Sequence, residues 1–442
     1  MGGARPAILS IVTKSNPTTR AKYWRHLLPI FQSNQIKKVP QTQPPIIGFS
    51  LPMKNPKLID SANGVSQLPE AIIQHIQSLL TLKQAAQTSI LSKSWHNAWS
   101  TLPNLDFDQR RSGRDYKSYR DVRGFLESAM RTIQRYEQSN LNIKSFSLSM
   151  DRRDSDIRIL GDELTMKALK LGAIELSLSV CLYRGLSIFP VTINACEFRN
   201  LKVLRLEWLD IDPLFSDYEF PCLKVLTLTR CFSKKVVGIR ISSPSLENLT
   251  FEHSFILKAK LDFPNIPSSD CVAELSFECA VYEFKTSWLI VFEKFLEQLN
   301  LFKVMLSLEI GSSVEVVFDY VWDIWRPKPV VENLTLKLHP MFINGGSKFL
   351  ECLLGSCVSK YITQNCVSQD HSFLKLLCKV LKVYVSENCY RNTSRLPGLE
   401  EVNVECFDET LSKWRPLSLK TLFDAPKSLQ DKQLIRFRLK WR

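Results

Sequence analysis

The stretch LKVLTLTRC, residues 223–231, places Leu223, Leu226 and Leu228 in the pattern apolar-x-x-apolar-x-apolar and closes on Cys231. Alternation at period two means a strand with one buried face. The same template recurs at IKSFSL (143–148), AIELSL (173–178), LKVLRL (201–206), SLENLTF (245–251) and VAELSF (272–277). It returns at MLSLEI (305–310), VENLTL (331–336), VLKVYV (380–385) and LEEVNV (399–404). Most successive starts lie 19 to 33 residues apart, and the step from 331 to 380 is the exception. One offset recurring at this period predicts a stack of strand-plus-return units whose inward side chains fuse into one core. An ordinary antiparallel domain would repeat it only by chance. The return segments 288–300 and 372–380 carry helical periodicity, so the expected class is α/β.

Leu223-x-x-Leu226-x-Leu228-x-x-Cys231 resembles the complete leucine-rich-repeat signature, with its cysteine buried, and the resemblance implies a horseshoe solenoid. In such an array the residues between the inward leucines face solvent on the concave side, a common binding surface. Candidate substrate contacts are Arg205, Glu207, Thr227, Thr229, Asn248, Thr250, Glu252 and Glu278. They form a mixed polar ledge, acidic late in the array, suited to basic or hydroxylated side chains; a merely solvated face is the alternative. No aromatic cluster stands out among these positions.

A chain of 442 residues exceeds one ordinary core unless its fold grows by repetition. The net charge of +14 suggests nucleic acid at first sight. Residues 1–59 hold nine Lys/Arg and no acid, so the rest carries only +5. Nucleic acid is therefore disfavoured as a partner. Residues 1–64 read as a basic, proline-punctuated, disordered leader; an organellar transit peptide is the less favoured alternative. No run of about 18 apolar residues predicts a membrane span. Twelve cysteines without a CxxC pair suggest reduced thiols in the nucleus or cytoplasm.

Upstream of the repeats, LPEAIIQHIQSLLTLKQAAQTSILSKSWHNAWSTL (68–102) is dense in large apolar residues at helical spacing. Ile72, Ile73, Ile76, Leu79 and Leu80 form one broad stripe; Leu91, Trp95, Ala98 and Leu102 form another, and Ser92 is placed to cap the helix holding Trp95. About 40 residues rarely bury such stripes alone, so they cap the repeats or bind another chain. The stretch resembles a plant-type F-box. Its Leu68-Pro69-Glu70, Ile72, Ile73 and Ile76 match in register, as do Ser78, Leu80, Lys83, Ala85-Ala86, Thr88 to Lys93, Trp95, Trp99 and Leu102-Pro103. Thr81-Leu82 replaces the usual Pro-Thr, and Ser94 and Ala98 replace Arg and Leu.

The resemblance implies that the F-box docks on a Skp-type adaptor, and through it cullin, in an SCF-type (Skp–cullin–F-box) ubiquitin ligase. The repeats would then bind an unknown protein substrate. By motif position the adaptor contacts are Leu68, Pro69, Ile72, Ile76, Leu80, Leu91 and Trp95, with Trp95 the anchor whose truncation costs about 2 kcal/mol or more. Two alternatives stay open: a repeat protein whose F-box engages no adaptor, and a nucleic-acid scaffold with basic termini.

The expected division is leader 1–64, F-box 65–105, helical linker or cap 106–142, and repeats 143–442. The repeats close on LIRFRLKWR as a capping strand with Ile435, Phe437, Leu439 and Trp441 on one face. No HExxH and no zinc-spaced cysteines occur, GGSK (345–348) lacks a phosphate-loop ending, and Asp151, Asp154 and Asp156 read as a solvated turn. Neither catalysis nor a cofactor nor a metal is expected.

Overall fold

The computed structural model describes residues 68–80, 82–109, 119–151, 155–181, 198–209, 211, 219–231, 239–253, 260–266, 270–279, 283–310, 315–317, 328–338, 343–365, 372–381, 396, 398–418 and 434–442. The basic leader lies outside them. So do Thr81, Asp154, the side chains of Asp151 and Asp156, and residues 382–385 of the ninth expected strand.

Three short helices come first: α1 (Glu70–Ser78), α2 (Leu82–Thr88) and α3 (Lys93–Ser100). Strand β1 (Asn104–Asp108) follows directly and pairs in parallel with β2 (Ser145–Asp151) across α4 (Tyr119–Gln138). The sheet therefore begins across the expected boundary between F-box and linker. Only Leu105 and Phe107 point inward there, too short an alternation to stand out among the flanking polar residues.

After β2 come α5 (Ser155–Lys170), β3 (Glu175–Cys181), β4 (Val203–Glu207), β5 (Val225–Thr229) and β7 (Asn248–Glu252). They continue with β9 (Val272–Cys279), α6 (Thr286–Glu297), β11 (Lys303–Ile310) and β13 (Val330–Leu338). The chain ends with α7 (Ile343–Ser356), β14 (Val358–Asn365), α8 (Ser372–Val380), β15 (Leu399–Asp408), β16 (Lys413–Pro416) and β17 (Leu434–Trp441). Among the described residues these strands form one thirteen-stranded sheet in the order β1-β2-β3-β4-β5-β7-β9-β11-β13-β14-β17-β15-β16. Pairing is parallel from β1 to β14 and antiparallel thereafter. On the return side β6 (Ile239–Arg240) pairs with β8 (Leu261–Asp262), and β10 (Glu283–Lys285) pairs with β12 (Glu315–Val317).

The repeat template explains the register. Phe107, Leu148, Leu178, Leu206, Leu228, Phe251, Leu275, Leu306, Leu334, Ile362, Phe437 and Val404 are successive Cα partners, and all are buried. This row belongs to a single core running the length of the sheet. Helix α6 closes that core over Phe277, whose ring stands edge-on to Phe292 and Phe295 at 6.0 and 6.1 Å. Cys231 is fully buried, as the signature implies, and its thiol donates to the Leu206 carbonyl at 3.3 Å. Burial pushes that thiol up to about 12.

The long step from 331 to 380 conceals a unit. Helix α7 and β14 occupy it, but VSKYITQN carries little of the leucine alternation and does not match the template. Val380 instead ends helix α8. GGSK lies inside helix α7, which rules out a phosphate-cradling loop there. The C-terminal segment forms the expected strand, with Ile435, Phe437 and Leu439 inward. It is not terminal in the sheet: β17 lies between β14 and β15, and short β16 holds the edge.

Candidate functional site

The helical head is built around Trp95. Ser92, in extended conformation, caps α3 by accepting from the Trp95 N–H at 3.3 Å. The indole is 5% exposed and shares the interior with Ile73, Ala85, Ala98 and Leu102. Gln77 is buried with it; its Nε2 donates to Thr88 Oγ1 at 3.0 Å and to the Trp95 carbonyl at 3.1 Å, tying all three helices together. Tyr136 on α4 donates to the Leu102 carbonyl at 2.8 Å, and the Arg135 guanidinium lies 4.7 Å from the Trp99 ring. Burial raises the Tyr136 hydroxyl above its ordinary value. The head is thus fastened to the start of the sheet by hydrogen bonds and ring contacts.

The stripe on α1 is too broad to be sealed from one side. Ile73 faces the interior while Ile72 is 46% exposed and Leu79 75% exposed. Ile90 and Leu91, between α2 and α3, are 85% and 59% exposed. Four large apolar side chains thus stand in water within 20 residues of sequence, against five through the rest of the described chain. Monomeric proteins seldom expose apolar side chains in such concentration.

The structure divides the expected adaptor contacts. Ile72 and Leu91 lie at the surface with Pro69; Leu68, Ile76 and Leu80 are half-buried. Trp95, expected as the interface anchor, is 5% exposed in the free chain and lies among the residues that hold the three helices together. Leu79 and Ile90 were not among the expected contacts and are the most exposed apolar residues of the head.

The expected substrate residues share the sheet face opposite the core. Arg205, Thr227 and Thr250 are successive Cα partners, as are Glu207, Thr229 and Glu252; Asn248 pairs with Val225. Glu278 lies further along β9 opposite Glu309. The acids are held from within the sheet. Ser179 Oγ donates to Glu207 at 2.6 Å, Thr229 Oγ1 donates to Glu252 at 3.2 Å, and Arg230 lies 3.9 Å from Glu207. His253 places Nε2 and Nδ1 each 3.9 Å from Glu252 and Glu278 respectively, close enough to pair with either when protonated.

Sequence reasoning missed Trp208, Arg230 and His253, each just past a strand and each at positive φ (60°, 51° and 48°). Their N–H groups donate to the next strand at Thr229, Glu252 and Ser276. Those three bonds offset the roughly 1–2 kcal/mol that left-handed backbone costs a residue other than glycine.

The expectation of no aromatic cluster on this face is also corrected. Trp414 lies opposite Phe407 on the last two strands, with ring centroids 5.3 Å apart. The Arg436 guanidinium lies 4.7 Å from the Tyr361 ring and 4.1 Å from the Trp414 ring, and pairs with Glu405. None of these aromatic residues sits in a template position, and only the inserted β17 brings them together. Among the described residues no group of His, Cys, Asp or Glu is placed to hold a metal ion, and no helix is long and apolar enough to cross a membrane.

Comparison with known proteins places these features. The F-box domain family matches residues 65–107. A putative F-box/LRR-repeat protein of Arabidopsis thaliana is 29% identical over 237 residues, covering 52% of this chain and 50% of its own. An F-box/LRR-repeat protein of the same plant is 36% identical over 127 residues, covering 28% and 24%. A putative F-box protein, also from Arabidopsis thaliana, is 26% identical over 385 residues, covering 74% and 88%. The last excepted, the chain spans about half or less of these relatives' length.

Proposed function

This chain belongs to the plant F-box/leucine-rich-repeat family, and from that premise we propose that it is the substrate-recognition subunit of an SCF-type cullin-RING ubiquitin ligase. The three-helix head docks on a Skp-type adaptor and, through it, on cullin. The parallel strand array curves as a leucine-rich-repeat horseshoe and presents a protein substrate on its polar face. Ubiquitin transfer belongs to the other subunits; this chain supplies binding and placement.

One observation carries the reading: Ile72, Leu79, Ile90 and Leu91 stand exposed inside the segment that matches the F-box. Burying a leucine or isoleucine contributes about 1.5–3 kcal/mol, so covering this set gives an interface a sufficient driving force. The bonds from Arg135 and Tyr136 to the head, and β1 joining the sheet at once, favour a fixed geometry between adaptor and substrate. The test is co-expression of the full chain with a plant Skp-type adaptor, followed by size-exclusion chromatography. A stoichiometric complex is expected from the wild type and none from Leu79→Asp/Leu91→Asp. Recovery of the wild-type chain free of adaptor, or of the variant fully bound, refutes the proposal.

A further inference from the structure

The polar face of the sheet changes character along its length. Through its middle the side chains are mostly hydroxyls, valines and glutamates with Arg205 and Asn248 among them, and Glu207 and Glu252 are already engaged by Ser179, Arg230 and Thr229. A partner arriving there competes with bonds the sheet makes to itself. At the far end stand Tyr361, Phe407, Trp414, Arg436 and Arg438, and tryptophan, tyrosine and arginine are the residue types in which interface energy concentrates.

Charge decides what such a partner must carry. Arg436 is neutralised by Glu405, and Lys440 Nζ lies 4.0 Å from Glu401. Arg438 lies between them on β17 and is exposed; among the described residues it has no carboxylate within ion-pair distance. Its register neighbours, Tyr361 and Asn403, are both neutral. One unmatched guanidinium is therefore held on a rigid strand beside aromatic rings. A guanidinium takes a carboxylate through two parallel hydrogen bonds, while a basic segment meets repulsion from the row of cations.

We propose that this end of the sheet is the substrate contact and that it seats an acidic segment of the partner protein. One carboxylate lies on Arg438, and the segment's apolar carbons lie against Tyr361 and Trp414. The inference rests on the strand face being the substrate platform, and moves the contact from the middle strands to β14, β17, β15 and β16.

The test uses the full chain bound to its adaptor and a fluorescein-labelled peptide of alternating glutamate and serine. Two analogues replace every glutamate with glutamine or with lysine, and binding is read by anisotropy. The glutamate peptide is expected to bind tightest. Arg438→Glu weakens it about tenfold or more, the scale of one lost charge-assisted pair. Tyr361→Ala also weakens it, and Arg240→Glu, on the return side of the sheet, leaves it unchanged. Equal binding of glutamate and glutamine peptides, or retention of the glutamate peptide by Arg438→Glu, overturns the assignment. A lysine peptide held by the wild type and released by Glu252→Lys overturns it while leaving the strand face as a platform. Failure of the wild-type chain to hold its adaptor strikes the reading of the head alone.

Discussion

Truncating the exposed pair Ile90 and Leu91 to alanine separates a binding surface from a folding core. In the free chain these side chains are 85% and 59% exposed, so most of their burial energy is unclaimed. Fully burying one such side chain contributes about 1.5–3 kcal/mol. Alanine keeps the β-carbon and a docked surface covers each residue only in part, so the pair should lose about 2 kcal/mol of adaptor affinity, about 30-fold in Kd. Folding stability should move by no more than about 0.5 kcal/mol, because nothing packed is removed. Trp95→Ala does the reverse. It empties a site shared with Ile73, Ala85 and Ala98 and should cost about 3–5 kcal/mol of stability, loosening the head before any adaptor arrives. Calorimetric titration of a plant Skp-type adaptor gives the affinities, and thermal melting followed by circular dichroism gives the stabilities. The reasoning fails if the Ile90/Leu91 variant binds like the wild type. It fails equally if Trp95→Ala weakens binding with an unchanged melt, since the indole would then be a direct contact.

Three further outcomes follow from the structure. Gln77→Ala removes the bonds to the Thr88 hydroxyl and the Trp95 carbonyl and should cost about 1–3 kcal/mol in chemical denaturation. Tyr136→Phe removes the bond to the Leu102 carbonyl and should cost about 1 kcal/mol on the same measurement, with adaptor affinity unchanged. Cys231 and Cys357 are buried with thiols pushed up to about 12. Raised folded values mean the native state holds its protons longer than the unfolded chain, so their stabilisation is whole below pH 9.0 and is lost as pH rises from there toward about 12. Denaturant midpoints should fall across that alkaline window, and Cys231→Ala should flatten the fall. In native protein, peptide mapping after brief iodoacetamide treatment should find exposed Cys222 modified and both buried thiols intact.

The sequence made most of the sheet legible because one side-chain period governs it. Where leucine alternates, as at Leu226 and Leu228, the partner in the next strand alternates too, and register follows from the need to keep both rows inside. Legibility stopped where the period was carried by other means. In β14 Ile362 alone stands in the buried row among polar residues, and the strand exists because α7 before it and β17 beside it supply the apolar cover. β1 has two inward residues and is recruited by β2. The antiparallel insertion of β17 could not be read at all, since alternation specifies faces and leaves neighbours open.

The same distinction governs the two candidate surfaces. A helical apolar stripe says that side chains need cover, and it does not say from which side. Ile72 and Ile73 are adjacent in sequence and alike in chemistry, yet Ile73 is fully buried while Ile72 is 46% exposed. Position 98, where leucine is common in the F-box pattern, is a fully buried alanine, and extra methylenes at a packed site typically cost about 1–3 kcal/mol or a repacking. On the strand face the argument runs the other way. The residues between the leucines could be placed on one side from the sequence, but which of them are free to bind depends on partners in the neighbouring strands. Glu207 and Arg438 look equivalent as charges in a list of residues. In the folded sheet Glu207 accepts from Ser179, whereas Arg438, among the described residues, has no carboxylate within ion-pair distance, because Glu405 is taken by Arg436 and Glu401 lies by Lys440.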